Sequence, residues 1–166
     1  MNEVRLVLFV VNGLPFGVIA EDIEEVIEYG RSSSTLPTSE NNNRKTTAKQ
    51  ADNKDTNGKD LNPFIEDHIN LRGNLISAVN LGRCIGIENA EVPLDAKILV
   101  AKTNEMLVGF IVDNVTSILE LDETCIKDAP NIIMTPQNKC IKNFAIHDGS
   151  IFPIIRFSDI IGKIFQ

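Results

Sequence analysis

Apolar residues in this chain fall in short runs separated by turn-forming pairs, and that pattern predicts a chain of strands. Val4 to Val11 is almost wholly apolar and β-branched, which predicts a buried strand. Asn12-Gly13 is a hairpin signal, and Phe16 to Ala20 reads as the returning strand. In Glu21 to Glu28 the period changes. Ile23, Val26 and Ile27 stand three and four apart among acidic residues, which predicts a short amphipathic helix or a tight turn leading into a strand.

The most informative stretch runs from His68 to Leu81. Two apolar runs flank Arg72-Gly73-Asn74, and Gly73-Asn74 suits the centre of a two-residue hairpin loop because both residues tolerate positive φ. A period of two sets Ile69 and Leu71 on one face and Asn70 and Arg72 on the other. The returning strand, Leu75 to Val79, is nearly all apolar, so both of its faces are expected to be covered. Asn70 and Arg72 at the rim of such a hairpin form a candidate recognition spot. The alternative is that Arg72 is a solvated turn residue.

Further along, Leu81 to Ile87 predicts a short helix stopped near Gly86, and Glu88 to Asp95 a loop. Strands follow at Ala96–Lys102, Met106–Val112 and Val115–Leu121, with turns at 103–105 and Asp113-Asn114. Asp122 suits a cap, Ala129-Pro130 ends that piece, and 131–139 is a second loop. Cys140–His147 and Ile151–Arg156 pair about Asp148-Gly149. Ser158 is expected to cap a terminal helix with Ile160, Ile161, Ile164 and Phe165 on one side. Nine or so short strands at close spacing predict an antiparallel β-barrel or sandwich. Met106, Met134 and the phenylalanines read as core.

One tract breaks the pattern. Residues 31–60 hold Leu36, Pro37 and two alanines among Ser, Thr, Asn, Gln, Gly and mixed charge. Such a segment cannot bury enough surface to offset its ordering entropy, so it is read as a disordered polar insertion. Six basic residues against four acidic leave the tract at +2, while the whole 166-residue chain stands at −7, so the remainder carries −9. An acidic body repels phosphate backbones and anionic membrane surfaces, which argues against nucleic acid as a partner. Length and an apolar share of 43% fit one domain, or two small intertwined ones, with a real core.

Candidate chemistry is sparse. Cys84, Cys125 and Cys140 cannot all pair, and their spacing matches no zinc pattern. With no signal peptide at the N-terminus, a reducing cytosol is expected, and no apolar run approaches the roughly 20 residues that span a bilayer. There is no Gly-rich phosphate loop, no G-x-S-x-G elbow and no paired His ligands. His147 beside Asp148 reads as turn chemistry, and Cys84 after Arg83 as a half-buried structural thiol. A small hydrolase using His147 or Cys84 is the only catalytic alternative. No cofactor, metal or small-molecule substrate is expected.

Several segments together resemble a known family, the CheW-like domain, the coupling module of bacterial chemotaxis-type signalling. They are Leu6–Val10 with Phe16-Gly17-Val18, Ile23-Glu24-Glu25-Val26, Phe64-Ile65, Ile69-Asn70-Leu71-Arg72-Gly73, and Asn80-Leu81. Leu107 to Val115 runs on to Ile118-Leu119 and Leu121, and Asp148-Gly149 precedes Ile154-Ile155 and the terminal helix. The likeness runs from about residue 4 to 165, excepting 31–60, as a single domain over 1–166.

The resemblance implies an all-β fold with short helices: two small SH3-like five-stranded β-barrels over a shared hydrophobic core, and a C-terminal helix. It implies no enzymatic activity. It implies a scaffold between a CheA-type histidine kinase and the cytoplasmic tip of methyl-accepting receptors, with no direct membrane insertion. The receptor hairpin would dock in a groove near the inter-barrel junction. The kinase's regulatory domain, of related fold, would pair with a barrel through apolar contacts. Partner contacts are implied at Ile23, Glu25, Asn70, Arg72, Gly73, Val112 and Asn114, with Arg72 as the receptor-facing arginine. Glycines usual in the family stand here as Asp67 and Asn143, a proline as Ser77 and an aspartate as Asn80, so different backbone is expected beside the groove. With the 31–60 insertion nearby, the alternative is a divergent adaptor or inhibitor serving another partner, for example in pilus-based motility or phototaxis.

Overall fold

A computed structural model describes residues 2–30, 62–87, 89–103, 106–128 and 141–165. The tract 31–60, Cys140, Met134 and the loop 131–139 lie outside the described residues. In chain order, β1 (Glu3–Val11) and β2 (Leu14–Ile19) lead through a 3₁₀ turn (Ala20–Asp22) into β3 (Ile23–Glu28). Then come β4 (Ile65–Leu71), β5 (Asn74–Asn80), the short helix α1 (Leu81–Cys84), β6 (Lys97–Thr103) and β7 (Met106–Val112). β8 (Asn114–Asp122), a 3₁₀ turn (Glu123–Cys125), β9 (Ile126–Asp128), β10 (Ile141–His147), β11 (Ser150–Ile155) and helix α2 (Phe157–Ile164) complete it.

The strands form two sheets, β8-β1-β2-β11-β10-β9 and β3-β6-β7-β5-β4. The five-stranded unit is thus inserted between β2 and β8 of the six-stranded unit. Each sheet wraps a private core. Leu6, Leu8, Leu121, Ala145 and Ile154 fill one, and Leu71, Ile76, Ala78, Ile98, Val100 and Ile111 fill the other. Between the units lies a third and larger core. It takes Val7, Phe9 and Val11 from β1, Leu99 and Ala101 from β6, and Val108, Phe110 and Val112 from β7, roofed by Phe157, Ile160, Ile161 and Ile164 of α2. Phe110 and Phe157 stack with centroids 4.1 Å apart, and Phe9 leans on Phe157 at 6.3 Å.

This explains the unbroken apolar runs. Alternate residues of β1, β6 and β7 point into the private and the shared core, so neither parity can be polar. The architecture is the two SH3-like units around a shared core that the resemblance implied, with six strands rather than five in one of them because the short β9 adds to its edge. Gly109 also finds its reason here. A Cβ on it would stand 2.7 Å from Ile98 Cγ2, so the Ile98 side chain can lie across β7 here only over a glycine.

Several local expectations are corrected. Eleven strands stand among the described residues rather than nine; the two added are β3, which the sequence leaves open between helix and strand, and β9, which is only three residues long. At 23–28, where the period leaves open a helix or a tight turn leading into a strand, the second holds: a 3₁₀ turn leads into a strand captured by pairing with β6. The loop of the central hairpin is Arg72-Gly73, not Gly73-Asn74. Leu71 pairs with Asn74, and φ is +50° at Arg72 and +88° at Gly73. Leu75 is 71% exposed and Met106 is exposed, so the outer ends of β5 and β7 run past the core. Cys84 is buried rather than half-buried. The cap of α2 is Arg156, with Ser158 one residue inside the first turn. Asp122 does cap, accepting from the Thr124 N–H at 3.2 Å.

Candidate functional site

The candidate residues are organised by the two edges of the five-stranded unit. β3 and β4 are the outermost strands of that sheet, yet its curl brings them face to face. Among the described residues no backbone pairing joins them. Two side-chain bridges cross the gap. The Arg72 guanidinium grips the Glu25 carboxylate with both prongs, Nη1 to Oε1 at 3.2 Å and Nη2 to Oε2. At the other end the Tyr29 hydroxyl donates to Asp67 Oδ2 at 2.9 Å.

Arg72 reaches Glu25 because of the turn that carries it. Positive φ at both loop residues makes the turn type that matches strand twist, and Gly73 supplies one of them without strain. Asn70 Oδ1 accepts the Gly73 N–H at 2.9 Å and holds the loop closed. Asn70 and Gly73 therefore shape the turn, and Arg72 is what the turn displays. Its side chain is 66% exposed and that of Glu25 27%. The hydrogen bond from Arg72, aided by its charge and opposed by partial desolvation, holds the Glu25 carboxyl below its ordinary range. The same bond pushes the Arg72 guanidinium further up, so both stay charged. A planar fork on a carboxylate is geometrically specific. At this exposure it adds little to stability.

The remaining candidates scatter. Ile23 opens β3, half-buried against the shared core. Asn114 is exposed at the start of β8. Val112 is 1% exposed and packed in the shared core, so its side chain has no outer surface to offer a partner. Asp113 between them ties the units. Its N–H donates to Val10 O at 2.8 Å, and its Oδ2 accepts the Gly13 N–H at 3.2 Å.

Residues that depart from the resembled pattern have identifiable roles. Asp67 and Asn143 each end a register shift, and neither lies at positive φ, so no glycine is needed. Asn143 donates to Asp128 Oδ1 at 3.0 Å. Asn80, buried, caps α1 by accepting the Arg83 N–H at 3.2 Å and donates to Ala90 O at 3.3 Å.

Sequence reasoning missed two apolar surface patches and the Tyr29–Asp67 bridge. On the five-stranded unit the parallel register Ser77↔Val108 sets exposed Leu75 beside exposed Met106. On the six-stranded unit exposed Ile146 and Ile151 are cross-strand partners. The Ile154↔Gly17 register carries the patch to exposed Leu14 on β2. The signal was present in the lone apolar residues beside the turns, but depth of burial is a tertiary property. His147 Nε2 lies 3.2 Å from Asp148 Oδ2 in a surface turn, while Cys84 is buried in the shared core, so the two share no site. Among the described residues no helix is long and apolar enough to cross a membrane.

Comparison with known proteins agrees with this geometry. The family model described as the CheW-like domain matches residues 53–165. The chain is similar to a chemotaxis protein CheW of Thermotoga maritima, 43% identical over 60 residues, 36% of this chain and 39% of that protein. It is also similar to one of Helicobacter pylori, 25% identical over 96 residues and 58% of each chain. Both matches span less than two thirds of the relative's length. A Bacillus subtilis CheW is 18% identical over 159 residues, 96% of this chain and 87% of that one. The crystal structure of scaffolding protein TtCheW from Thermoanaerobacter tengcongensis superposes with a TM-score of 0.68 at 23% identity, over 93% of this chain and 89% of that one, and shows the same fold. With the family model matched over most of its length and the two-unit fold in place, the chain belongs to the CheW-like domain family.

Proposed function

We propose that this protein is a non-catalytic cytoplasmic scaffold that couples a CheA-type histidine kinase to methyl-accepting chemotaxis-type receptors, and is recruited to receptor arrays at the inner membrane. Family membership carries the reading. Exposed side chains on both units support an assignment of contacts. Arg72, presented on a stiff turn and forked, is the anchor for a receptor tip, with Glu25, Ile23 and the Asn70–Gly73 turn framing it. Asn114 lies on the same account at the edge of the surface. The two apolar patches, Leu75–Met106 and Leu14–Ile151–Ile146, suit the kinase's regulatory domain, one on each unit. Such a bridging molecule needs rigid surfaces and no reacting groups.

The test is reconstitution. Purified chain, the kinase and a receptor cytoplasmic fragment from the same organism should sediment together, and omission of the chain should leave kinase and receptor apart. Failure of the chain to bind either partner would overturn the proposal. A second reading, a divergent adaptor or inhibitor serving pilus-based motility or phototaxis, is favoured by Asp67, whose carboxylate makes a bridge to Tyr29 that a glycine there would lack. Affinity capture from cells that returns a different, identifiable signalling protein and no kinase would select it.

A further inference from the structure

We infer that Tyr29 and Asp67 are positioning residues for the Glu25–Arg72 pair, a rigid clasp that sets the spacing of the β3–β4 seam so that Arg72 is presented in one geometry. Glu25 and Tyr29 are four positions apart along β3 and the residue that follows it, so the two bridges stand about 13 Å apart, one at each end of the seam. Between them Ile27 and Ile69 pack against the private core and leave no ladder to hold the edges in register.

The two bridges differ in stiffness. Glu25 and Arg72 are long side chains on an exposed rim. The Tyr29 ring packs against the private core, and its backbone N–H donates to Ala96 O at 3.0 Å. Asp67 uses both carboxylate oxygens, Oδ2 for the Tyr29 hydroxyl and Oδ1 for the His68 N–H at 2.8 Å. A short side chain with both oxygens engaged meets an aromatic with two torsions, so this end loses little freedom on closing. The stiff end fixes the gap, and the flexible pair at the other end then meets in its two-pronged form.

The inference rests on the proposed role of Arg72, but its first test needs no partner. The Glu25 carboxyl is titrated by NMR in the full chain, with Arg72 facing it from the turn and Glu24 beside it on β3. Tyr29→Phe and Asp67→Ala each should raise the Glu25 midpoint by about half a pH unit toward the ordinary glutamate value. Asp67→Asn keeps an acceptor for the hydroxyl and should restore the unmodified midpoint. Should one of the two loss variants fail to fold, the other gives the same reading. An unmoved midpoint in the folded loss variants overturns the inference, as does Asp67→Asn behaving like Asp67→Ala. In a second arm, receptor-fragment affinity should fall roughly threefold in the loss variants and recover in Asp67→Asn. Absence of receptor binding by the unmodified chain would refute the proposed function while leaving the titration to decide the clasp.

Discussion

Two seams run through this molecule, and they are built from opposite materials. The seam between the units is closed by Phe9, Phe110, Phe157 and aliphatic side chains that are almost wholly buried. The seam within the five-stranded unit, between β3 and β4, is closed by four polar side chains, most of them in contact with water. Buried apolar surface holds a fold together in proportion to its area. Exposed polar bridges contribute little to stability but fix where charged groups stand. The contrast places stability in the first seam and the proposed recognition in the second, so the two can be perturbed separately.

The largest effect is expected at the shared core. Phe157→Ala removes a ring that touches both Phe9 and Phe110, and should cost about 3–5 kcal/mol in urea unfolding. Because both units lose a wall, unfolding should stay a single transition; two separate transitions would show that the units do not share stability. Gly109→Ala comes next. Its new methyl meets the stiff β-branched Ile98, and a loss of about 1–3 kcal/mol is expected by the same measurement. The double variant with Ile98→Ala should lose less than the sum of the two single changes.

At the surface the effects move from stability to binding. Leu75→Ser with Ile151→Ser should leave unfolding within about 0.5 kcal/mol of the parent while weakening kinase co-sedimentation, since both side chains are exposed. The smallest stability effect is acid-dependent. Glu25 titrates below its reference value of 4.5 in the folded chain. Its favourable contribution is therefore complete above that value and disappears as pH falls through the lower folded midpoint. Glu25→Gln should reduce the slope of that portion of the stability profile, to which Glu21 and Asp122, also held down by their hydrogen bonds, contribute the rest, as read by thermal unfolding across acid pH.

Much of this was legible in the sequence, and the gaps have physical causes. The three tight turns were readable because Asn12-Gly13, Gly73 and Asp148-Gly149 supply positive φ, and only few residues can. The central loop was displaced by one residue because Asn is the better left-handed residue than Arg. Register with β5 and the Asn70–Gly73 hydrogen bond outweighed that local preference at Arg72. The period of three and four in Ile23, Val26 and Ile27 leaves a helix and a turn-strand equally open, and edge pairing with β6 decides for the strand. Arg72 and Glu25 were both picked out, yet their pairing was not, because 46 residues intervene and only the curl of the sheet brings them together. Val112 shows the converse. A residue inside an informative motif proved to be core, because adjacent strand residues face opposite ways.

The most direct trial of this account is Arg72→Glu in the full chain, scored for thermal stability and for receptor-fragment co-sedimentation in the same preparation. The melting temperature should stay within about 2 °C of the parent's. Receptor recruitment should fall about tenfold or more. Recruitment equal to the parent's, in a folded Arg72→Glu protein, would contradict it.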